Sequence, residues 1–249
     1  VKDQLRKNKI TSTFFEEKNR PTTNKNTFIS SNYRLLKVDT LSNAPITEET
    51  LEKIIKNVKK NKSDIVVYSD FRHGIFNPSS ITKLLNAIPK KIFKVGDSQV
   101  ASRWGNITQF RNFDLITPNE REARFSLADQ DSTVGKLAGL LLERTKYKNL
   151  ILKLGSRGVF CNGYVKNKYS PFSIGAFAKN VVDPVGSGDA LLAYSSLVLK
   201  KSKSLIKSSI IGSFAAACEC ETEGNIPVSY KNIVDKIKEI QKDIKYIKK

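Results

Sequence analysis

"VVDPVGSGDALLAYSSL", residues 181–197, sets two glycines and two aspartates in a tight turn and runs straight into an apolar helical pattern. A glycine-rich turn entering a helix leaves several backbone N–H groups aimed at one point, and the helix dipole adds partial positive charge there. Gly186, Ser187 and Gly188 therefore suit a phosphoryl group, because glycine lets the backbone approach a ligand closely. Asp189 is out of place in a pure anion site, since a carboxylate repels phosphate. It makes sense as a base that takes a proton from a hydroxyl attacking that phosphate. The stretch thus asks for phosphoryl transfer to an alcohol. A capped helix with an acidic first turn would read the same way in isolation, so the rest of the chain has to decide.

Outward from that turn, strand and helix patterns alternate. "DIVVYSD" (64–70), "KIFKVGD" (91–97), "FDLITPNE" (113–120) and "NLILKLG" (149–155) read as buried parallel strands. Helices are expected after Thr47 as N-cap, around 79–88, after 120, from Ser132 as cap, and near 187–200 and 204–219. "GVFCNGYV" (158–165) reads as a hairpin. A last helix carries Ile233, Ile237, Ile240, Ile244 and Ile247 on one face, as core packing requires. The alternation implies a mostly parallel sheet covered on both faces. Residues 22–38 fall outside that rhythm and read as two short strands around a polar turn at 30–32, a small sheet or lid.

Composition narrows the class. The chain has 249 residues, enough for one large domain or two small ones. No run approaches the roughly 18 apolar residues of a membrane span. The charged first twenty residues lack a signal-peptide core, so a soluble, cytoplasmic protein is expected. Three cysteines and one histidine, His73, support neither a disulfide framework nor a metal cluster. The net charge of +19 comes from lysines spread along the chain rather than blocked into a binding arm, so no nucleic-acid partner is expected. It favours an anionic small substrate instead.

Three further features agree with the opening turn in order and spacing: "TPNEREA" (117–123), "KLGSRGVF" (153–160) and the small-residue helix "GSFAAACEC" (212–220). Together they resemble the ribokinase-like (PfkB) carbohydrate kinases. "DPVGSGDALLA" looks like that family's C-terminal signature, Asn119 and Glu122 match its Asn-x-x-Glu motif, and "LGSRG" matches its nucleotide-side glycine turn. Within the family, "RPTTNKNTFISSNYRLLKVD" (20–39) and "YSDFRHG" (68–74) look closest to the heptose-phosphate kinase branch.

The resemblance implies an α/β, ribokinase-like three-layer sandwich over residues 1–249, with a mostly parallel central sheet and a small β lid at 22–38. Residues 113–249 would be the nucleotide-binding and catalytic half. It implies ATP and Mg²⁺ as cofactors, K⁺ as a further one, a sugar or sugar phosphate as substrate, no membrane partner, and a homodimer through the lid. Asp189 would be the general base, with the amides of Gly186, Ser187 and Gly188 as the anion hole. Asn119 and Glu122 would act near the triphosphate, Glu122 on Mg²⁺ through water. Gly155, Ser156 and Gly158 would shape the nucleotide pocket, and Asp183 with Val185 would sit at a monovalent-cation position.

Departures from the family pattern carry expectations of their own. Members open with an apolar strand bearing an aspartate and then a Gly-Gly segment. Neither is found in residues 1–20, so the chain is expected to begin partway into the fold, N-terminally truncated. The heptose-phosphate branch has Gly-Lys-Gly and Asp-Pro-Lys where this chain has Arg72-His73-Gly74 and Asp97-Ser98-Gln99, which leaves the sugar open. His73 is expected to shape its loop, and Trp104 to pack. The other reading the residues allow is a non-catalytic nucleotide-binding or assembly module of the same fold.

Overall fold

The computed structural model describes residues 1–31, 33–99, 105–165, 168–224 and 226–247; Asn32 and Trp104, named above, lie outside them. The chain divides into two compact units, one of residues 1–62 and 73–90, the other of residues 63–72 and 91–249.

The first unit holds helix α1 (Lys2–Lys7), strands β1 (Asn24–Ser30) and β2 (Tyr33–Thr40), and helices α2 (Glu48–Lys60) and α3 (Pro78–Ala87). β1 and β2 form their own antiparallel two-stranded sheet, with Phe28 opposite Leu36 and Asn26 opposite Val38. The expectation that 22–38 stands apart from the main sheet is met. Thr47 caps α2 as read, its hydroxyl accepting from the Thr50 amide at 3.2 Å. Arg20 pairs with Glu17 at 2.7 Å and donates to the carbonyls of Ala44 at 2.7 Å and His73 at 3.1 Å. His73 Nδ1 also meets the Thr23 hydroxyl at 3.2 Å, the loop-shaping role expected of it.

The second unit is built on a six-stranded sheet. Its strands, in sheet order, are β3 (Ile65–Asp70), β4 (Phe93–Ser98), β5 (Leu115–Ile116), β6 (Asn149–Lys153), β7 (Val159–Val165) and β8 (Lys168–Ile174). The first four are parallel, and β7 and β8 close the sheet antiparallel. Helices α4 (Glu120–Leu127) and α5 (Val134–Thr145) lie between β5 and β6 in the chain; α6 (Ser187–Ser202), α7 (Leu205–Cys220) and α8 (Tyr230–Ile247) follow β8. Val95, Leu115 and Ile151, one from each of β4, β5 and β6, pack with Leu191, Leu192 and Leu199 of α6. Alternation sends Leu150 and Leu152 to the opposite face, where they are just as completely buried, so both faces of the sheet are covered. α6 and α7 approach closely because their contact is made of small residues: a Cβ on Gly212 would meet Ser195 Cβ at 3.0 Å, and Ser208 donates to the Ser195 carbonyl at 2.8 Å. Ile233, Ile237 and Ile240 of α8 pack with Phe214 and Ala215; the side chains of Ile244 and Ile247 lie outside those described.

Two local readings are corrected. Residues 159–165 of that stretch form no hairpin of their own but the single strand β7, paired on both sides. Asn-Gly is a strong hairpin dipeptide, yet here Asn162 donates to the buried Tyr147 hydroxyl at 2.9 Å. Gly163 is there because a Cβ would meet Leu205 at 2.7 Å. Packing on both neighbours overrides the local turn signal. The cap of α5 is Thr133, one residue after Ser132, whose carbonyl is instead taken by Arg124 at 3.0 Å.

The two kinds of glycine in this unit should respond in opposite directions to alanine. Gly158 has φ +84°, and a Cβ there would stand 2.0 Å from the Ile174 carbonyl oxygen, so Gly158→Ala is expected to cost at least about 2 kcal/mol. Gly139, inside α5, has nothing within 4 Å of its Cβ position, so Gly139→Ala is expected to stabilise by about 0.5–1 kcal/mol. Urea midpoints of the two variants check both signs.

Candidate active site

The apolar layer of the sheet turns polar one step further along three adjacent strands. Two residues beyond Val95, Leu115 and Ile151, and so on the same face, stand Asp97, Thr117 and Lys153. The Thr117 hydroxyl donates to Asp97 Oδ1 at 2.8 Å, and Lys153 Nζ donates to the same oxygen at 2.9 Å. Asp97 and Thr117 are buried, and the Lys153 side chain is 15% exposed. Burial pulls the Lys153 ammonium down, but the Asp97 and Glu122 carboxylates outweigh it and hold it above the ordinary lysine value. These groups sit at the C-terminal ends of parallel strands, where open α/β sheets take their ligands.

The Asn-x-x-Glu motif opens α4 as a reciprocal cap. Asn119 Oδ1 accepts from the Glu122 amide at 2.7 Å, and Glu122 Oε2 accepts from the Asn119 amide at 2.6 Å. The motif therefore has a structural job whatever else it does, and it brings a buried carboxylate beside Lys153. Burial raises the Glu122 carboxyl to about 7; the Asp97 and Asp189 charges push the same way, and Lys153 and the Asn119 amide oppose them.

Helices α2, α3, α4, α5 and α7 all start on a side-chain cap; α6 does not. Its N-cap is Gly186 at φ +89°, a left-handed conformation that favours glycine. The Ser187 hydroxyl and amide both turn back to the Pro184 carbonyl, at 2.8 and 3.3 Å. Asp189 lies in the first turn and is exposed. A Cβ built on Gly188 would stand 3.4 Å from Lys153 Nζ, so the ammonium lies against the start of the helix.

A cavity of about 370 Å³ runs from this point, lined by Gly155, Ser156, Gly158, Ser187 and Gly188 among the residues singled out in the sequence, and by Lys153. Phe177, Ser213 and Cys220 line it as well. A second cavity, of about 700 Å³, takes in Asn119 and shares Lys153 and Gly155 with the first. Asp183 holds its own turn, Oδ1 accepting from the Val185 amide at 3.1 Å. Near it Glu219 is buried, its Oε1 has no hydrogen-bond partner, and burial with the Asp183 and Asp189 charges raises its carboxyl. Lys153, Asp97 and Thr117 went unassigned in the sequence. The available signal was a lysine two residues beyond a core isoleucine in an otherwise apolar strand.

Outside this centre, the loop where the chain departs from Gly-Lys-Gly is held by Asp70, which is buried. It accepts from the Arg72 amide at 2.7 Å, the Arg72 guanidinium at 3.2 Å and Asn106 at 3.1 Å. Arg72 takes φ +63°, a conformation that suits the glycine of that pattern better than an arginine.

The model of the pfkB family of carbohydrate kinases matches residues 1–231. The chain belongs to this family. Among curated relatives, the Bifunctional protein HldE of Wolinella succinogenes is 23% identical over 227 residues, which cover 88% of this chain and 46% of that protein. The Bifunctional protein HldE of Aliarcobacter butzleri is 28% identical over 200 residues, 78% of this chain and 40% of that one. The chain thus spans about half the length of the curated relatives it matches. Among solved structures, ribokinase from Giardia lamblia superposes with a TM-score of 0.74 at 16% identity, over 96% of this chain and 78% of that one. Phosphofructokinase-2 from Escherichia coli in complex with potassium gives 0.68 at 18% identity, over 83% and 67%. These likenesses show the ribokinase-like fold. Among the described residues no helix is long and apolar enough to cross a membrane.

Glu122 gives this site a pH signature. Its carboxyl binds a proton more tightly folded, at about 7, than at the ordinary 4.5, so the folded state is favoured while the proton is on. Its contribution falls as pH rises from 4.5 to about 7. Glu122→Gln keeps an acceptor for the Asn119 amide and removes the titration. Across that window the wild type should lose about 3 kcal/mol of stability relative to the variant, read from urea midpoints at each pH.

Proposed function

We propose that the protein transfers the γ-phosphoryl group of ATP to a hydroxyl of a sugar or sugar phosphate. The observation that supports this most strongly is the start of α6. An uncapped glycine turn with Asp189 in its first turn lies beside a cationic Lys153, and Ser187, Gly188 and Lys153 line a cavity of about 370 Å³. The amides of Gly186, Ser187 and Gly188 receive the transferring group. Asp189 takes the proton of the attacking hydroxyl as the new O–P bond forms. The bond from the γ-phosphorus to its bridging oxygen breaks, and ADP leaves with the electron pair. Gly155, Ser156 and Gly158 shape the nucleotide pocket.

Mg²⁺ enters this reading with the nucleotide. Among the described residues no group of three His, Cys, Asp or Glu side chains is placed to hold a metal ion, and Glu122 already spends one oxygen on its cap. That suits an ion held mainly by phosphates and water, with Asn119 and Glu122 in its outer shell. When bound, Mg²⁺ neutralises phosphate charge. At Asp183 and Val185 a monovalent cation such as K⁺ fits the donor set, since the orphaned Glu219 oxygen lies in an acidic neighbourhood.

In this reading residues 113–249 are the nucleotide-binding and catalytic half of one kinase domain working in the cytoplasm. The β1–β2 sheet is a lid. Phe28, Tyr33, Leu36 and Val38 are exposed on it, which supports a further use as a homodimer surface.

The test separates chemistry from binding. Asp189→Asn keeps size and packing but cannot accept the proton. Its turnover should fall by about 10²–10⁴-fold while ATP affinity holds or rises slightly. ADP release is followed across hexoses, heptoses and their phosphates. Near-normal turnover in the variant places the base elsewhere. A wild-type chain that binds ATP and phosphorylates no sugar favours a non-catalytic nucleotide-binding module.

A further inference from the structure

Lys153 is not explained by the fold. It ends β6 on the buried face of the sheet, where the preceding residue on that face, Ile151, is core. Among the described residues its hydrogen bond is to Asp97 Oδ1 at 2.9 Å, so two of its three ammonium donors remain for something else. Asp97 is in turn fixed by Thr117 at 2.8 Å, which makes the cation a tethered one rather than a mobile surface lysine. The tether holds Nζ against Gly188, at the positive end of α6. The ammonium and the first-turn amides of α6 are both donors for an anion placed between them, and Asp97, Glu122 and Asp189 keep the ammonium charged there. Two cavities meet at this residue, and Lys153 and Gly155 line both.

We infer that Lys153 is a phosphate-binding residue that clamps the terminal phosphoryl group of the nucleotide between its ammonium and the first-turn amides of α6, with Asp97 as its positioning residue. A compact ammonium with rotatable donors suits a phosphoryl oxygen whose charge is moving. Its charge is secure at neutral pH, because Asp97 and Glu122 raise its affinity for the proton. The inference rests on the nucleotide reading above and adds to it a distinction between ATP and ADP, since only ATP carries the group that reaches Lys153.

Calorimetry with Mg·ATP and Mg·ADP tests this on the full chain. Lys153→Met should weaken ATP by about 10–100-fold, the range of one charged hydrogen bond, and ADP by less than about 3-fold. Because Lys153→Met strands the buried Asp97 charge, a Lys153→Met, Asp97→Asn double variant is measured beside it. That variant removes both charges of the pair, and its thermal melt reports that it folds. It should show the same loss of preference for ATP. Equal losses for ATP and ADP, or no loss, in the folded variants would mean that the ion pair serves packing alone, and the inference falls while the nucleotide reading stands. A wild-type chain that binds neither nucleotide overturns both.

Discussion

One buried oxygen, Asp97 Oδ1, organises the polar end of the central sheet. It receives a hydroxyl from Thr117 and an ammonium from Lys153, which joins the ends of β4, β5 and β6 in a single hydrogen-bonded layer. Ion pairs this well buried add little net stability, because desolvation consumes most of the attraction. What they do give is position. Three strands converge on one charge, and the start of α6 is brought against it by the hydrophobic layer just beneath: Val95, Leu115 and Ile151 packed on Leu191 and Leu192. The core sets where the helix begins, and the polar layer sets which charge it meets there.

The second consequence is electrostatic. Glu122 and Asp189 lie close enough to act on Lys153, and with Asp97 they make three carboxylates around one ammonium. Such a site repels a bare phosphate and is relieved by a dication that arrives with it, which is the form in which nucleoside triphosphates are handled by proteins. The high affinity of Glu122 for its proton comes first from its burial, and the Asp97 and Asp189 charges add to it.

Much of this was legible in the sequence. The glycine turn, the Asn-x-x-Glu pair and the strand-helix rhythm each carry a local signal that packing did not override, and the helices at 187 and 205 begin within a residue of where the pattern puts them. What was misread was governed by neighbours distant in sequence. Asn162-Gly163 has the chemistry of a turn, but Tyr147, Asn149 and Leu205 make it part of a strand. Asn119 and Glu122 were read for the nucleotide alone, and the capping box they form was overlooked, although its spacing is a local signal. Lys153 carries only a faint local mark, a lysine two residues beyond a core isoleucine, which is easily lost in a lysine-rich chain. Only the register of β6 against α6 gives it a role.

The most direct test is a crystal structure with Mg²⁺ and a non-hydrolysable ATP analogue. The account requires the terminal phosphate oxygens to lie within about 3 Å of both Lys153 Nζ and the Gly188 amide, with Asp97 still holding the lysine. The adenine ring should then lie in the cavity walled by Phe177, Ser213 and Cys220. A terminal phosphate bound away from the start of α6, with Lys153 untouched on Asp97, would contradict it.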